Sequence, residues 1–206
     1  MTQTQVALSK TRSADQYREV LYSNLEEYER LARMVADMLL LAKAENGLLV
    51  PSRETVDLPA ETRELFGFYE AFADEQGISL VLAGAGTLHG DRLMVRRALS
   101  NLLSNAIRHT PRGGSVKVLI EQRKPGEIEL CVENPGETID PAHLPRMFDR
   151  FYRIDPSRQK THTDGAGLGL AITKSIVEAH HGAIQVTSSH GLTRVGITFQ
   201  VRSAEI

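Results

Sequence analysis

Three glycines at alternate positions, Gly165, Gly167 and Gly169, run straight into an apolar, helix-patterned segment that contains Leu170, Ala171 and Ile172 and ends near His181-Gly182. Residues without side chains let backbone N–H groups come close to an anion, and the helix that follows aims its positive end at the same place. The stretch therefore reads as a phosphate cradle, although in isolation any glycine-rich turn before a helix reads the same way. It is not a Walker loop, because no Lys-Ser or Lys-Thr follows, and Leu170 stands where a dinucleotide fingerprint needs its last glycine. Its meaning depends on what precedes it.

With 206 residues, 41% of them hydrophobic and 24% charged, the chain can hold one full core and an appendage. A net charge of -2 gives no general argument for a nucleic-acid partner, and none is expected. The single cysteine, Cys131, lies in an apolar strand-like run; a disulfide framework is excluded, a buried thiol is expected, and a reducing cytoplasm fits. No stretch is long and apolar enough to span a membrane, and the N-terminus lacks a signal-peptide pattern. The chain opens in the middle of what reads as a helix, so a piece cut from something larger is expected.

Residues 2–12 are polar and helix-compatible. Ser13-Ala14-Asp15-Gln16 has the form of a capping box and opens a long helix that Asn46-Gly47 stops. Within it Leu21, Leu25, Tyr28, Ala32, Val35, Leu39 and Ala42 recur at spacings of four and three, the seam of a helix packed in a bundle. One helix cannot bury that seam alone, so residues 1–46 read as a helical hairpin that dimerises; the alternative is a helix folded back on its own domain. After a linker with Pro51 and a short strand near Thr55-Val56, Asp57 caps a helix that Gly77 ends. Ile78–Leu82 reads as a strand, and a second helix runs from Asp91 to about Arg108. Val116, Val118 and Ile120, then Ile128, Leu130 and Val132, alternate with other residues around Lys124-Pro125-Gly126: a hairpin. Short helical turns fill residues 141–152, a polar loop 154–164, and two strands, near 183–188 and 194–201, follow the last helix. The fold class is α+β, a two-layer sandwich with helices on one face of a mixed sheet, spanning residues 47–206.

In the second helix Asn101, Asn105 and Arg108 share one face, and Leu99, Leu102, Leu103, Ala106 and Ile107 cover much of the other. Two asparagines inside a helix are unfavourable, so that face needs a reason. An amide oxygen suits Mg²⁺, and an arginine one turn on can pair with phosphate; a plain solvated polar face is the competing explanation.

The order of parts decides between them. Asn101–Thr110, then Val132-Glu133-Asn134-Pro135-Gly136, then Phe148-Asp149-Arg150-Phe151-Tyr152-Arg153, then the glycine stretch, resemble the N, G1, F and G2 boxes of the sensor histidine kinase ATP-binding domain, the Bergerat-type fold shared with gyrase, Hsp90 and MutL. The resemblance covers residues 48–206, and residues 1–46 resemble the tail of the dimerisation helices, a truncated hairpin of a dimeric four-helix bundle. It implies ATP and Mg²⁺ as cofactors, with Asn105 as the magnesium ligand and Asn101 beside it, Arg108 a phosphate contact and His109 flanking the nucleotide. It further implies nucleotide contacts at Asn134, Gly136, Ile139, Arg153, Gly165, Gly167, Leu168, Gly169, Leu170 and Thr193. Residues 154–164 become a lid, with Phe148 and Phe151 packed beneath it, core packing alone being the competing explanation for both.

The chain departs from the family pattern in three places. Asn134 stands where the G1 box normally has an Asp that accepts from the adenine amino group; strand parity puts it on the face of Ile128, Leu130 and Val132. An amide accepts without a charge and can also donate, so weaker adenine affinity and relaxed base discrimination are expected. Thr138 replaces the second glycine of that box, and Leu192-Thr193 stands for the usual Gly-Thr. Finally, no histidine fits the phosphorylation motif, a His followed by Asp or Glu and then Pro. His143 precedes Leu-Pro, His180 and His181 close a helix, and His89, His162 and His190 read as loop residues. The chain is expected to bind ATP without phosphorylating itself, so that labelled ATP leaves no acid-labile phosphohistidine on it.

Residues 20–27, 96–105 and 143–153, with the Glu-Asn-Pro-Gly form of the G1 box, look like the copper- or silver-responsive branch of these kinases. That resemblance implies a bacterial inner-membrane parent, of which this is a cytoplasmic part, working as a homodimer with a response-regulator receiver domain. Nothing in the chain itself senses metal: the five methionines are scattered and one cysteine makes no soft-ligand site. Two rivals remain. An ATP-hydrolysing switch of the gyrase or Hsp90 kind would need a carboxylate base near Asn101, where an amide stands. A dimerisation module with a decayed nucleotide site is kept alive by Asn134 and Thr138.

Overall fold

The structure, a computed structural model, describes residues 5, 11, 13–154 and 167–200. The expected first arm of the N-terminal hairpin, nearly all of the expected lid and Gly165 lie outside the described residues. Two units are present, Met1–Ala42 and Lys43–Ile206.

Helix α1, Ala14–Glu45, dominates the first unit. The Ser13 N–H donates to Gln16 Oε1 (3.1 Å) and the Gln16 N–H to Ser13 Oγ (3.3 Å), which is the reciprocal capping box. At its other end Gly47 takes φ +66°, and the Leu48 and Gly47 amides donate back to Lys43 O and Ala44 O, closing a Schellman turn. Along the seam Leu21, Leu25, Tyr28, Val35 and Leu39 are each more than half exposed.

The second unit runs β1 (Glu54–Asp57), α2 (Leu58–Glu75), β2 (Ser79–Gly84), β3 (Thr87–Gly90), α3 (Arg92–His109), β4 (Ser115–Lys124), β5 (Glu127–Pro135), a 3₁₀ turn at Leu144–Arg146, α4 (Gly169–Ala179), β6 (Ala183–Ser189) and β7 (Leu192–Gln200). Five strands form one sheet in the order β2-β4-β5-β7-β6. The β2–β4 pair is parallel and the other three are antiparallel, so the sheet is mixed as the alternating patterns imply. Val116, Val118, Ile120, Ile128, Leu130, Val132, Val195, Ile197 and Phe199 point from it into a core shared with Leu65 of α2, Leu99, Leu102, Leu103 and Ile107 of α3, and Val177 of α4. Each of these side chains contributes roughly 1.5–3 kcal/mol on leaving water, and together they fix the three helices on one face.

The other face is polar. Glu129 and Glu133 of β5 are buried there under Arg123 and Arg194, with which they pair. Long arginine stems cover the strand, which explains why β5 is buried on both sides. Cys131 is buried as expected, but on this face between the two carboxylates rather than in the apolar core.

One element differs from the sequence reading. Thr87–Gly90 is a strand, paired antiparallel with β1 in a separate two-stranded sheet, so His89 is a strand residue and not a loop residue. The pair forms because Val56 and Leu88, opposite each other in its register, are both buried.

Candidate functional site

Helix α3 begins at Asp91, whose carboxylate accepts from the Met94 N–H (2.9 Å) and from the Ser52 N–H (3.2 Å) and hydroxyl (3.0 Å). It ends at Thr110, held extended ahead of Pro111, with the Thr110 hydroxyl donating to Ala106 O at 2.7 Å. Between these stops Leu99, Leu102, Leu103, Ala106 and Ile107 are buried. Asn101, Ser104 and Asn105 are half-buried, and Arg108 and His109 are exposed. The polar stripe expected from the spacing is therefore present.

The two asparagines are not equivalent. Asn101 Nδ2 donates to Gly169 O (3.0 Å), an oxygen that also accepts from the buried Thr173 hydroxyl (2.9 Å), so Asn101 ties α3 to the first turn of α4. Its nitrogen is committed to protein, and its oxygen is the part left for another group. The amide of Asn105 makes no hydrogen bond to any other described residue. Helix α4 carries no side-chain cap at Leu168, and the Ile172 N–H to Leu168 O bond (2.9 Å) follows three amides, those of Gly169, Leu170 and Ala171, that have no acceptor within the helix. These unclaimed donors lie beside Asn101. Leu168 itself is fully buried, and Leu170 packs against the core. Gly167 takes φ +72° and receives the Phe151 N–H on its carbonyl (3.0 Å); a Cβ there would lie 3.0 Å from the Phe151 backbone. Phe151 is itself at φ +61° and is exposed, and Phe148 is half-buried. Arg153 is half-buried one residue beyond Tyr152, whose hydroxyl meets His143 Nδ1 at 2.6 Å.

The far end of the α3 stripe meets the end of β5. A Cβ on Gly136 would stand 3.0 Å from the His109 carbonyl, so the chain leaving β5 passes directly against the last turn of α3. Asn134, two residues earlier, is buried and donates its Nδ2 to Pro135 O at 3.0 Å. It lies opposite Thr193 across the β5–β7 ladder, and Thr193 lies opposite Ser188 across β7–β6. The Thr193 and Ser188 hydroxyls are 3.0 Å apart, and Ser188 Oγ accepts the Ile139 N–H at 2.9 Å. Ser188 thus joins Ile139 to Thr193, and Thr193 lies beside Asn134. From Asn101 to His109 is eight residues, roughly 12 Å of helix. Helix α3 therefore spans the distance from the glycine turn to the Asn134 corner. Among the described residues no group of three His, Cys, Asp or Glu side chains could hold a metal ion; the oxygen donors on this stripe are the side-chain amides of Asn101 and Asn105.

A protein-family model described as histidine kinase-, DNA gyrase B- and HSP90-like ATPase matches residues 90–204, which is more than half the chain. The chain belongs to this ATPase family. Its ATPase domain is similar in sequence to the sensor histidine kinase CusS of Escherichia coli (strain K12), 51% identical over 96% of this chain and 41% of that protein. It is also similar to the probable sensor kinase SilS of Salmonella typhimurium, 48% identical over 94% and 40%. The chain thus spans about two fifths of the length of these relatives. In fold it is similar to the Acinetobacter baumannii histidine kinase AdeS, with a TM-score of 0.75 at 22% identity over 94% of this chain and 88% of that one. Full-length ShkA in complex with AMPPNP gives 0.78 at 25% identity, over 96% and 42%.

Against that family, two features of the ATPase domain were missed in the sequence. Ser188 links two of the expected site residues, Ile139 and Thr193; the signal for it is a polar residue on the inward face of β6, in phase with Ile184 and Val186. Thr138, in the place of a glycine, accepts the Gly191 N–H on its hydroxyl at 2.9 Å, while the Gly136 N–H donates to Gly191 O at 2.9 Å. It pins the loop after β5 to the β6–β7 turn and so has a structural task of its own.

Proposed function

We propose that the Asn101–Arg108 stripe, the amides of Gly169 and Leu170 and the Asn134–Thr193 corner together hold Mg²⁺·ATP. The observation that carries this is the convergence on α3 of an unclaimed amide, Asn105, with a helix N-terminus whose first donors have no acceptor within the helix. Asn105 supplies an oxygen to the magnesium ion, Arg108 and the α4 amides neutralise phosphate charge, and Gly165, Gly167 and Gly169 let the backbone close on it. Base contacts fall to Asn134, Ile139 and Thr193, with His109, Gly136 and Arg153 flanking. Because Asn134 Nδ2 already donates to Pro135 O, its oxygen is the free group. That orientation favours an acceptor for the adenine amino group, so selection of adenine over guanine survives while the strength added by a charge is lost. This differs from the relaxed discrimination expected of a freely turning amide.

The whole protein is read as an ATP-dependent protein-histidine kinase of a bacterial inner membrane, acting as a homodimer in a copper or silver response. It transfers the γ-phosphoryl group of ATP to a histidine, with ADP as the leaving group, and then to an aspartate of a receiver domain. Protein contributes position and charge compensation, as in other phosphoryl transfers. ThkA, a histidine kinase of similar fold (TM-score 0.69), was crystallised with the response regulator TrrA, which supports the same kind of partner here.

Titration calorimetry with Mg²⁺·ATP and Mg²⁺·GTP tests the site. Binding of ATP with GTP at least tenfold weaker is expected, Asn105→Ala should remove the magnesium-dependent part, and Asn134→Asp should strengthen ATP by about 1 kcal/mol. No heat with either nucleotide, or full magnesium-dependent affinity in Asn105→Ala, overturns the reading.

A further inference from the structure

His180 stands at the C-terminal end of α4 and reaches across to the start of α3. Its Nδ1 lies 2.8 Å from Ile176 O, and its Nε2 lies 2.9 Å from the Asp91 N–H. A carbonyl only accepts and a peptide N–H only donates, so both ring positions are assigned: Nδ1 carries the proton, Nε2 carries the lone pair, and the ring is neutral. The fit is close on the remaining sides. The ring stands edge-on to Phe199, with centroids 5.9 Å apart, and a Cβ on Gly90 would fall 2.6 Å from its Cδ2. The ionisable group facing it from the α3 side is the Asp91 carboxylate, already engaged by Met94 and Ser52; beyond that, Glu54 Oε1 accepts the Arg92 N–H at 3.4 Å.

Helices α3 and α4 run antiparallel and are tied at both ends of α4, by Asn101 to Gly169 O at one and by His180 to Asp91 N at the other. The first tie lies in the proposed nucleotide site, while the second lies a whole helix away and touches none of it. We infer that His180 is a positioning residue: as a neutral imidazole it fixes the register of α4 against α3, and hence the placing of the Gly169 and Leu170 amides relative to Asn105 and Arg108. This rests on the nucleotide reading above. An acceptor at Nε2 is what this tie needs: without it the Asp91 N–H is left unpaired, the register of α4 on α3 loosens, and nucleotide affinity falls.

The test measures Mg²⁺·ATP affinity by calorimetry at about pH 8 for the unsubstituted chain, His180→Gln and His180→Phe. Glutamine retains an acceptor for the Asp91 N–H, and phenylalanine retains a ring without one. The Gln variant should bind within about threefold of the unsubstituted chain and the Phe variant at least about fivefold more weakly than either. A ¹⁵N-imidazole spectrum at pH 8.0 should show His180 protonated on Nδ1 alone. A Gln variant that binds as weakly as the Phe variant, or a folded Phe variant that binds as tightly as the unsubstituted chain, overturns this inference and leaves the nucleotide site standing. Absence of binding by all three at pH 8.0 overturns the nucleotide reading and this inference with it.

Discussion

Asn101 and Asn105 are identical in chemistry and one turn apart, yet only the second is free of other described residues, because Gly169 O lies within reach of the first. Helical spacing put both on one face, and the buried positions between them agree. What spacing could not convey was the neighbour: the approach of α4 is a tertiary fact, with Asn101 and Gly169 68 positions apart in the chain. Ser188 was hidden for the same reason, since its partners Ile139 and Thr193 come from two other segments. Cys131 shows the limit in another way. Its apolar flanks suggest a core thiol, but the strand turns it toward Glu129 and Glu133. Burial pushes that thiol up to about 11, and the Glu133 carboxylate adds to the rise. A free cysteine near pKa 8.5 is about one quarter thiolate at pH 8, and Cys131 about a thousandth. Alkylation by iodoacetamide at pH 8, followed by mass spectrometry, should be at least a hundredfold slower than for a free thiol; reaction at the rate of a model peptide would sink this account.

The helices were legible because their ends are written in local chemistry. Ser13 with Gln16, Asp57, Asp91, Gly47 and Gly77 are all caps that act within a few residues, and each holds in the structure. Helix α4 ends the same way with His181 at φ +58° in the position where glycine is usual, the Gly182 amide donating to Val177 O. Strand β1 was expected near Thr55-Val56, but β3, at four residues, is too short for alternation to stand out, and only its pairing with β1 makes it a strand. At this scale the cap of α3 is the element to test. Burial raises the Asp91 carboxyl, but the Met94 and Ser52 donors, with a smaller pull from His180, outweigh it and hold its pKa below the usual value. A carboxylate depressed in the folded state contributes stability above its unfolded pKa and loses it as pH falls through the folded one. Asp91→Ala should therefore cost about 1–2 kcal/mol at pH 7 and progressively less below pH 4, read from urea unfolding. An undiminished cost at pH 2 would contradict the assignment.

For the molecule as a whole, the mixed sheet and its single helical layer followed from hairpin alternation and helix order. The seam of α1 was equally legible, and in the single chain it is open: Leu21, Leu25, Tyr28, Val35 and Leu39 face solvent. Covering them with a second copy would be worth on the order of 10 kcal/mol before the entropy of association is subtracted. The chain should sediment as a dimer at micromolar concentration and Leu25→Glu as a monomer with unchanged nucleotide affinity; a monomeric unsubstituted chain would refute the bundle. The parallel pairing of β2 with β4 has a further consequence. Ser79 sits opposite Ser115, so α3 lies wholly inside the loop which that pairing closes. Closing such a loop is slow compared with forming the β4–β5 hairpin, and α3 cannot reach its final seat until it is done. Competence to hold a ligand should therefore arrive late in refolding, after the hairpin, and a partly assembled chain would carry the cradle's sequence without its shape.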